Sequence, residues 1–210
     1  MMAIAALCYV FFLNSATISS STLRLCSSSS SLREIQSTQQ WIKEFVVGLG
    51  ICPYASKPFL SSQIKYVVSN ATTVSMLTSD FFSQSEFLLD SSIETTMLIC
   101  SSYKGDVEEF YSLYSDLSDD IEANEFAIQP AFFHPHWRFA GLSRSDPVNF
   151  EKRAPYPTIN LLRRSSLDKV ITAAFSERGV LLDEEMQAHN TLALENEGHQ
   201  SLKQLFKSFH

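Results

Sequence analysis

Two rhythms of apolar and polar positions run along this chain. Trp41, Ile42, Phe45, Val46 and Leu49 recur at a helical spacing that puts them on one face. Ser37 stands ahead of them as an N-cap, and Gln40 can reach back to it, which predicts a helix start. Gly48 and Gly50 weaken the helix and Pro53 stops it, so residues 51–56 read as a turn and 57–63 as a loop. Ile64–Val68 is a short β-rich run, predicted to be a strand. A second helix, capped from Asn70–Thr73, carries Val74, Leu77, Phe81, Leu88 and Leu89 on one side. Thr95–Cys100 is almost wholly apolar or β-branched, the pattern of a strand buried on both faces. Asp106 with Glu109 opens a third helix, whose Val107, Phe110, Tyr111, Tyr114, Leu117 and Ile121 give the clearest helical period in the chain. Phe126–Phe133 is a third strand, and Pro130 puts it at an edge or a bulge.

Strands alternating with helices of this length predict an α/β fold: a small, mostly parallel sheet of about three strands with flanking helices. Ser165 or Ser166 caps a further helix carrying Leu167, Val170, Ile171 and Ala174. A last helical region from Asp183, punctuated by Gly198, ends at Leu205 and Phe206, so the C-terminal part is helical. In an open parallel sheet, ligands sit beyond the carboxyl ends of the strands. Those ends carry Ser69 and Asn70, Ser101 and Ser102, and His134.

The segment from Phe132 to Arg164 fits neither rhythm. It is dense in Arg, His, Pro and aromatic residues, and it starts from that carboxyl edge. Between Arg138 and Arg164 there are six basic residues and two acids, a local +4 in a chain of net charge -7. A basic island in an acidic chain is a candidate anion site. The overall charge argues against general binding of nucleic acid or anionic membranes. Hydrophobic residues make up 45%, ordinary for a protein with a real core.

Residues 1–33 read as a leader rather than part of the fold, and 34–210 as a single domain. Ala3–Leu13 is apolar but too short to span a bilayer. Ser and Thr follow densely, with two Arg and no acid before Glu34. That is the composition of a plastid or mitochondrial transit peptide, with a secretory signal or a merely disordered tail as the alternatives. Cys52 and Cys100 remain outside the leader, too few for a disulfide framework.

Several side chains in the domain are candidates for chemistry. His134 and His136, at i and i+2 in an extended segment, point apart and make a poor chelate, so no metal is expected. His134 alone suits a general acid or base, or an anion donor; it equally suits a bond to a backbone carbonyl in a Pro-rich turn. Arg153-Ala154-Pro155-Tyr156-Pro157-Thr158 holds two prolines that stiffen the loop. Its guanidinium, phenol and hydroxyl, with Arg138 and Arg163, can hold a phosphate or carboxylate. Thr158 can cap a short helix over 159–164 whose amides would add to that site. The competing reading is a rigid strap across the sheet edge. Cys52, beyond a helix C-terminus, is a handicapped partner for His134 in nucleophilic catalysis, because that dipole end disfavours a thiolate. There is no G-x-S-x-G, Walker or G-x-G-x-x-G sequence, and no cofactor is expected.

Trp41 to Leu49 with Ile51-Cys52-Pro53-Tyr54-Ala55, then Phe133-His134-Pro135 with Phe139-Ala140-Gly141, then Arg153–Thr158 with Leu161-Leu162-Arg163, resemble the DUF1415 family. The resemblance runs from about Thr38 to about Leu202. It implies that the leader is an addition, and it carries over no activity. The chain departs from the family pattern at Asn160 (there a His), Arg164 (a Glu) and His136 (an acid). The departures favour roles for His134 and Arg153.

The expectation is an enzyme acting on a small anionic metabolite. Arg153 and Arg163 would hold the anion, His134 would act as acid or base, and Tyr156 would orient the substrate. The alternative is a non-catalytic binding or assembly module that presents the Pro-rich basic loop to a partner.

Overall fold

The computed structural model describes residues 29–179 and 182–210. The leader expectation therefore lies mostly outside the described residues. Residues 29–33 open the first helix, α1 (Ser29–Trp41), which begins eight residues before the expected cap. Ser37 is not a cap: it is buried inside α1, and its hydroxyl donates to the Phe209 carbonyl near the C-terminus. After Trp41 the chain continues as one π-helical turn, Ile42–Val47. Gly48 is required there, because a Cβ would lie 2.2 Å from the Glu44 carbonyl oxygen. Gly50, at φ 67°, then turns the chain toward Cys52 in the left-handed region that glycine adopts without strain. The loop expected over 57–63 contains a short helix, α2 (Ser56–Leu60).

Next come β1 (Ile64–Val68), α3 (Val74–Asp90), β2 (Thr95–Ile99), α4 (Val107–Ala123) and β3 (Ile128–Phe133). The signals for these elements behave as expected, whereas the helix after residue 163 starts at Arg164 with no side-chain cap and is not capped by Ser165 or Ser166. Thr73 caps α3 by accepting from the Met76 amide. Asp106 and Glu109 form a complete capping box on α4. All five residues of β2 are buried. Pro130 sits on an edge strand, where no ladder bond is lost.

One element corrects the expectation. Residues 158–163 are a strand, β4 (Thr158–Arg163), and not a helix. The sheet therefore has four strands in the order β1-β2-β4-β3. β1 and β2 pair in parallel, while β4 pairs antiparallel with both β2 and β3. The three expected strands do share one direction, and β4 is inserted between two of them, so the sheet is mixed rather than mostly parallel. Ile159 and Leu161 are wholly buried on one face of β4, a period of two that a six-residue run conceals.

Helices cover both faces. On one, α3 and α4 bury Leu77, Phe81, Phe110 and Leu117 against Leu98, Ile159 and Leu161. On the other, α1 and the π turn bury Trp41, Ile42 and Phe45 with Met97 and Phe150. The chain ends in α5 (Arg164–Arg178) and α6 (Leu182–Lys207), which is broken at Gly198 and packs on a 3-10 turn over Pro147–Lys152. No helix among the described residues is long and apolar enough to cross a membrane.

Candidate functional site

The basic loop lies where the topology places it, across the carboxyl edge of β1, β2 and β3. It leaves β3 at His134 and returns at Pro157, whose carbonyl accepts from the Cys100 amide at 2.7 Å. Its polar groups, however, bond to the loop itself. Arg153 donates through Nε to the Trp137 carbonyl at 2.9 Å and through Nη2 to the Arg144 carbonyl at 3.4 Å. Its guanidinium lies 4.6 Å from the centre of the Phe150 ring, and burial lowers its pKa. Asn149, wholly buried, donates to the Ser143 and Asp146 carbonyls and accepts from the Phe139 amide. Asn149 ties the loop shut, and nothing in its sequence context marks it.

His134 belongs to the same strap. It is 4% exposed, and its ring centre lies 5.7 Å from that of Phe110. Its Nδ1 accepts from the His136 amide at 3.2 Å, which leaves the proton on Nε2. Burial, with the imidazole of His136 adding, pushes its pKa down to about 4. It is a neutral imidazole at physiological pH.

The other expected ligands disperse. Arg163 reaches the end of α3, where its Nη2 donates to the carbonyls of Leu88, Ser91 at 2.7 Å and Ile93 at 3.0 Å. Thr158 is buried at the start of β4 and donates to the Tyr156 carbonyl at 2.9 Å, so it caps no helix. Tyr156 meets the ring of His210 edge-on at 5.5 Å. Arg138 is exposed. Arg163 and Thr158 thus satisfy backbone carbonyls in separate places and do not converge on one ligand.

A cavity of about 450 Å³ opens on the α1 face of the sheet and reaches from its amino edge to Phe133. It lies at the amino ends of β1 and β2, beside Ile64 and Thr95, against the C-terminal end of β4 at Leu162 and Arg163. The Cys52–Pro58 turn closes one side and the first turns of α5 close another. The inserted strand is the cause: β4 runs backwards, so its end delivers α5 to the amino edge. The wall is mainly apolar, with Trp41, Ile42, Val46, Met97, Phe133 and Val170 among its residues.

Two of the lining residues carry buried hydrogen-bond donors with no partner among the described residues: the indole N–H of Trp41, a residue 1% exposed, and the hydroxyl of Tyr54. Burial pushes the Tyr54 phenol up to about 12, with Cys52 and Asp168 adding, so it stays a donor. Thr95 is satisfied; its hydroxyl has both Asn160 Oδ1 and the Leu161 carbonyl, at 2.9 Å, in reach as acceptors for its one proton. Asn160 thus faces this cavity and not the basic loop. The charged lining groups are Lys57, Arg163, Lys169 and one acid, Glu94.

Of the sequence-predicted residues, Cys52 and Arg163 line this cavity, and His134 does not. Cys52 is half-buried, and burial raises its thiol pKa against the lowering effect of the Tyr54 and Ala55 amides. Cys100 is buried on the face packed by α3 and α4, and both thiols are free. Trp41, Tyr54, Lys57, Glu94, Asn160 and Lys169 were not recognised as site residues. The Cys52-Pro53-Tyr54 turn carried the available signal, a phenol in a Gly/Pro turn beside a cysteine. Among the described residues, no group of three or more His, Cys, Asp or Glu could hold a metal ion.

No curated protein and no solved structure matches the chain. One family model does, a protein of unknown function (DUF1415), over residues 33–204. With most of its length inside that match, the chain belongs to the DUF1415 family.

Proposed function

We propose that this protein binds a small organic anion in the cavity under α5, as an enzyme acting on a metabolite of that class. The observation that carries the reading is the lining. An apolar wall with two unpartnered buried donors, Trp41 Nε1 and the Tyr54 hydroxyl, fits a ligand with an apolar body and an acceptor group. A buried donor without a partner costs about 1–3 kcal/mol, which a ligand acceptor would recover. Lys57 and Lys169 bias the mouth toward a carboxylate or phosphate. This keeps the substrate class expected from sequence and moves its seat away from the arginine loop.

A second reading, a non-catalytic assembly module, has its own support. His136, Arg138 and Arg144 are exposed on the basic loop and free to meet an acidic protein surface. In either reading the Ser-rich leader supports delivery to a plastid or mitochondrion. A fluorescent fusion of residues 1–33 tests that, and a secreted fusion would overturn it.

Melting of the protein against small carboxylates and phosphates separates the readings. A ligand at 100 times its dissociation constant adds roughly 2.7 kcal/mol. The shift is expected to shrink or vanish in Val170→Trp, which narrows the cavity at its rim, and to persist in Arg153→Ala, which melts lower from the start. A shift lost in Arg153→Ala and kept in Val170→Trp would return the site to the loop. No shift with any anion would leave the assembly module.

A further inference from the structure

Glu94 is the acid of the cavity wall, and it has no ion pair among the described residues. Its backbone is pinned on both sides, the amide donating to the Gln63 carbonyl at 3.0 Å and the carbonyl accepting from the Arg163 amide at 3.3 Å. Its half-buried carboxylate accepts through Oε2 from the Ser166 hydroxyl. The adjacent Arg163 guanidinium is taken by the carbonyls of Leu88, Ser91 and Ile93. Among the described residues, no lysine or arginine nitrogen lies within 4.0 Å of Glu94. Lys57 and Lys169, the ammonium groups of the same cavity, are exposed. A half-buried carboxylate held by one hydroxyl keeps acceptor capacity for a cationic donor. It stands on the same wall as the two unpartnered donors, and Ser166 fixes its orientation while leaving Oε1 to meet a ligand.

We infer that the ligand is a zwitterion: an apolar amino acid or a close derivative whose primary ammonium group is held by Glu94. The carboxylate faces the donors and the lysines, and the side chain fills the apolar wall. The inference rests on the reading of the cavity as an anion site and narrows it. An ammonium group has three N–H donors and needs charged or carbonyl acceptors. Glu94 Oε1 supplies the charged one, and a charge-assisted bond of this kind is the stronger sort.

Matched pairs test it by calorimetry on the full chain at neutral pH. The probes are L-phenylalanine with 3-phenylpropanoate, L-leucine with 4-methylpentanoate, and L-tryptophan with 3-indolepropanoate. Within each pair only the amine differs. The expected result is that at least one amino acid binds about tenfold or more tighter than its deaminated partner. Glu94→Gln should abolish that increment, so that each amino acid binds no tighter than its deaminated partner. The wild-type comparison stands even where the variant folds poorly. Deaminated acids that bind as well as, or better than, the amino acids would overturn the zwitterion and leave the anion site intact. Binding by none of the six would overturn the zwitterion; the melting panel with Val170→Trp then decides the fate of the anion site separately.

Discussion

At the scale of single residues, the arginines teach most. Arg163 and Arg153 read in sequence as anion ligands, and in the fold their guanidiniums satisfy backbone carbonyls. Arg163 holds three carbonyls at and beyond the end of α3, which lie where no further helical amide can reach them. Arg163→Ala is expected to cost about 2–3 kcal/mol, read by denaturant unfolding. Arg163→Lys should recover less than half, because its shorter side chain has no second nitrogen to match Nη1, which meets the Leu89 carbonyl at 3.5 Å. An Arg163→Ala variant as stable as wild type would sink this account. His134 carries a pH signature. Its folded pKa, about 4, lies below the ordinary 6.5, so the unfolded chain binds the extra proton between those values. Stability from this group is full above about pH 6.5, falls as the pH drops toward 4, and falls no further below it. The loss is on the order of 1–3 kcal/mol. His134→Asn keeps an acceptor for the His136 amide and should flatten that part of the stability profile; an unchanged acid slope would show that other groups cause it.

At the scale of elements, the capped helices were the readable ones. Asp106 and Glu109 at α4, and Thr73 at α3, act through three-residue contacts that need nothing else from the chain. The π turn and β4 were not readable, because distant neighbours decide them. Thr158–Arg163 has apolar residues that serve a helix or a strand equally. It becomes a strand because β2 and β3 offer ladder bonds on both sides and bury Ile159 and Leu161 completely. The π turn depends on Gly48, whose missing side chain lets the Glu44 carbonyl approach. Gly48→Ala is expected to cost about 1–3 kcal/mol through a forced backbone shift. It should also move the Cys52–Ala55 turn, seen as a changed rate of thiol alkylation at Cys52. Unaltered stability and alkylation would mean the turn tolerates a Cβ.

At the scale of the whole molecule, the inserted strand sets where function can sit. The carboxyl edge that the sequence pointed to is filled by a self-bonded strap, and the cavity appears at the amino edge under α5. The thiol at its wall is held protonated by burial. Cys52 should therefore alkylate more slowly than a free cysteine at neutral pH, and more slowly again with a cavity ligand present. A fast, ligand-indifferent reaction would place the thiol outside the site. What the sequence determined by itself was local or compositional. It marked the three co-directional strands, the capped helices, the edge position of Pro130 and the family to which the chain belongs. These rest on contacts within a few residues or on motifs that survive without the fold. The tertiary structure alone decided the fourth strand, the partners of each arginine and the end of the sheet that is open. Those outcomes depend on which groups lose water together, and residues far apart in the chain, such as Trp41, Tyr54, Glu94 and Asn160, meet only after folding.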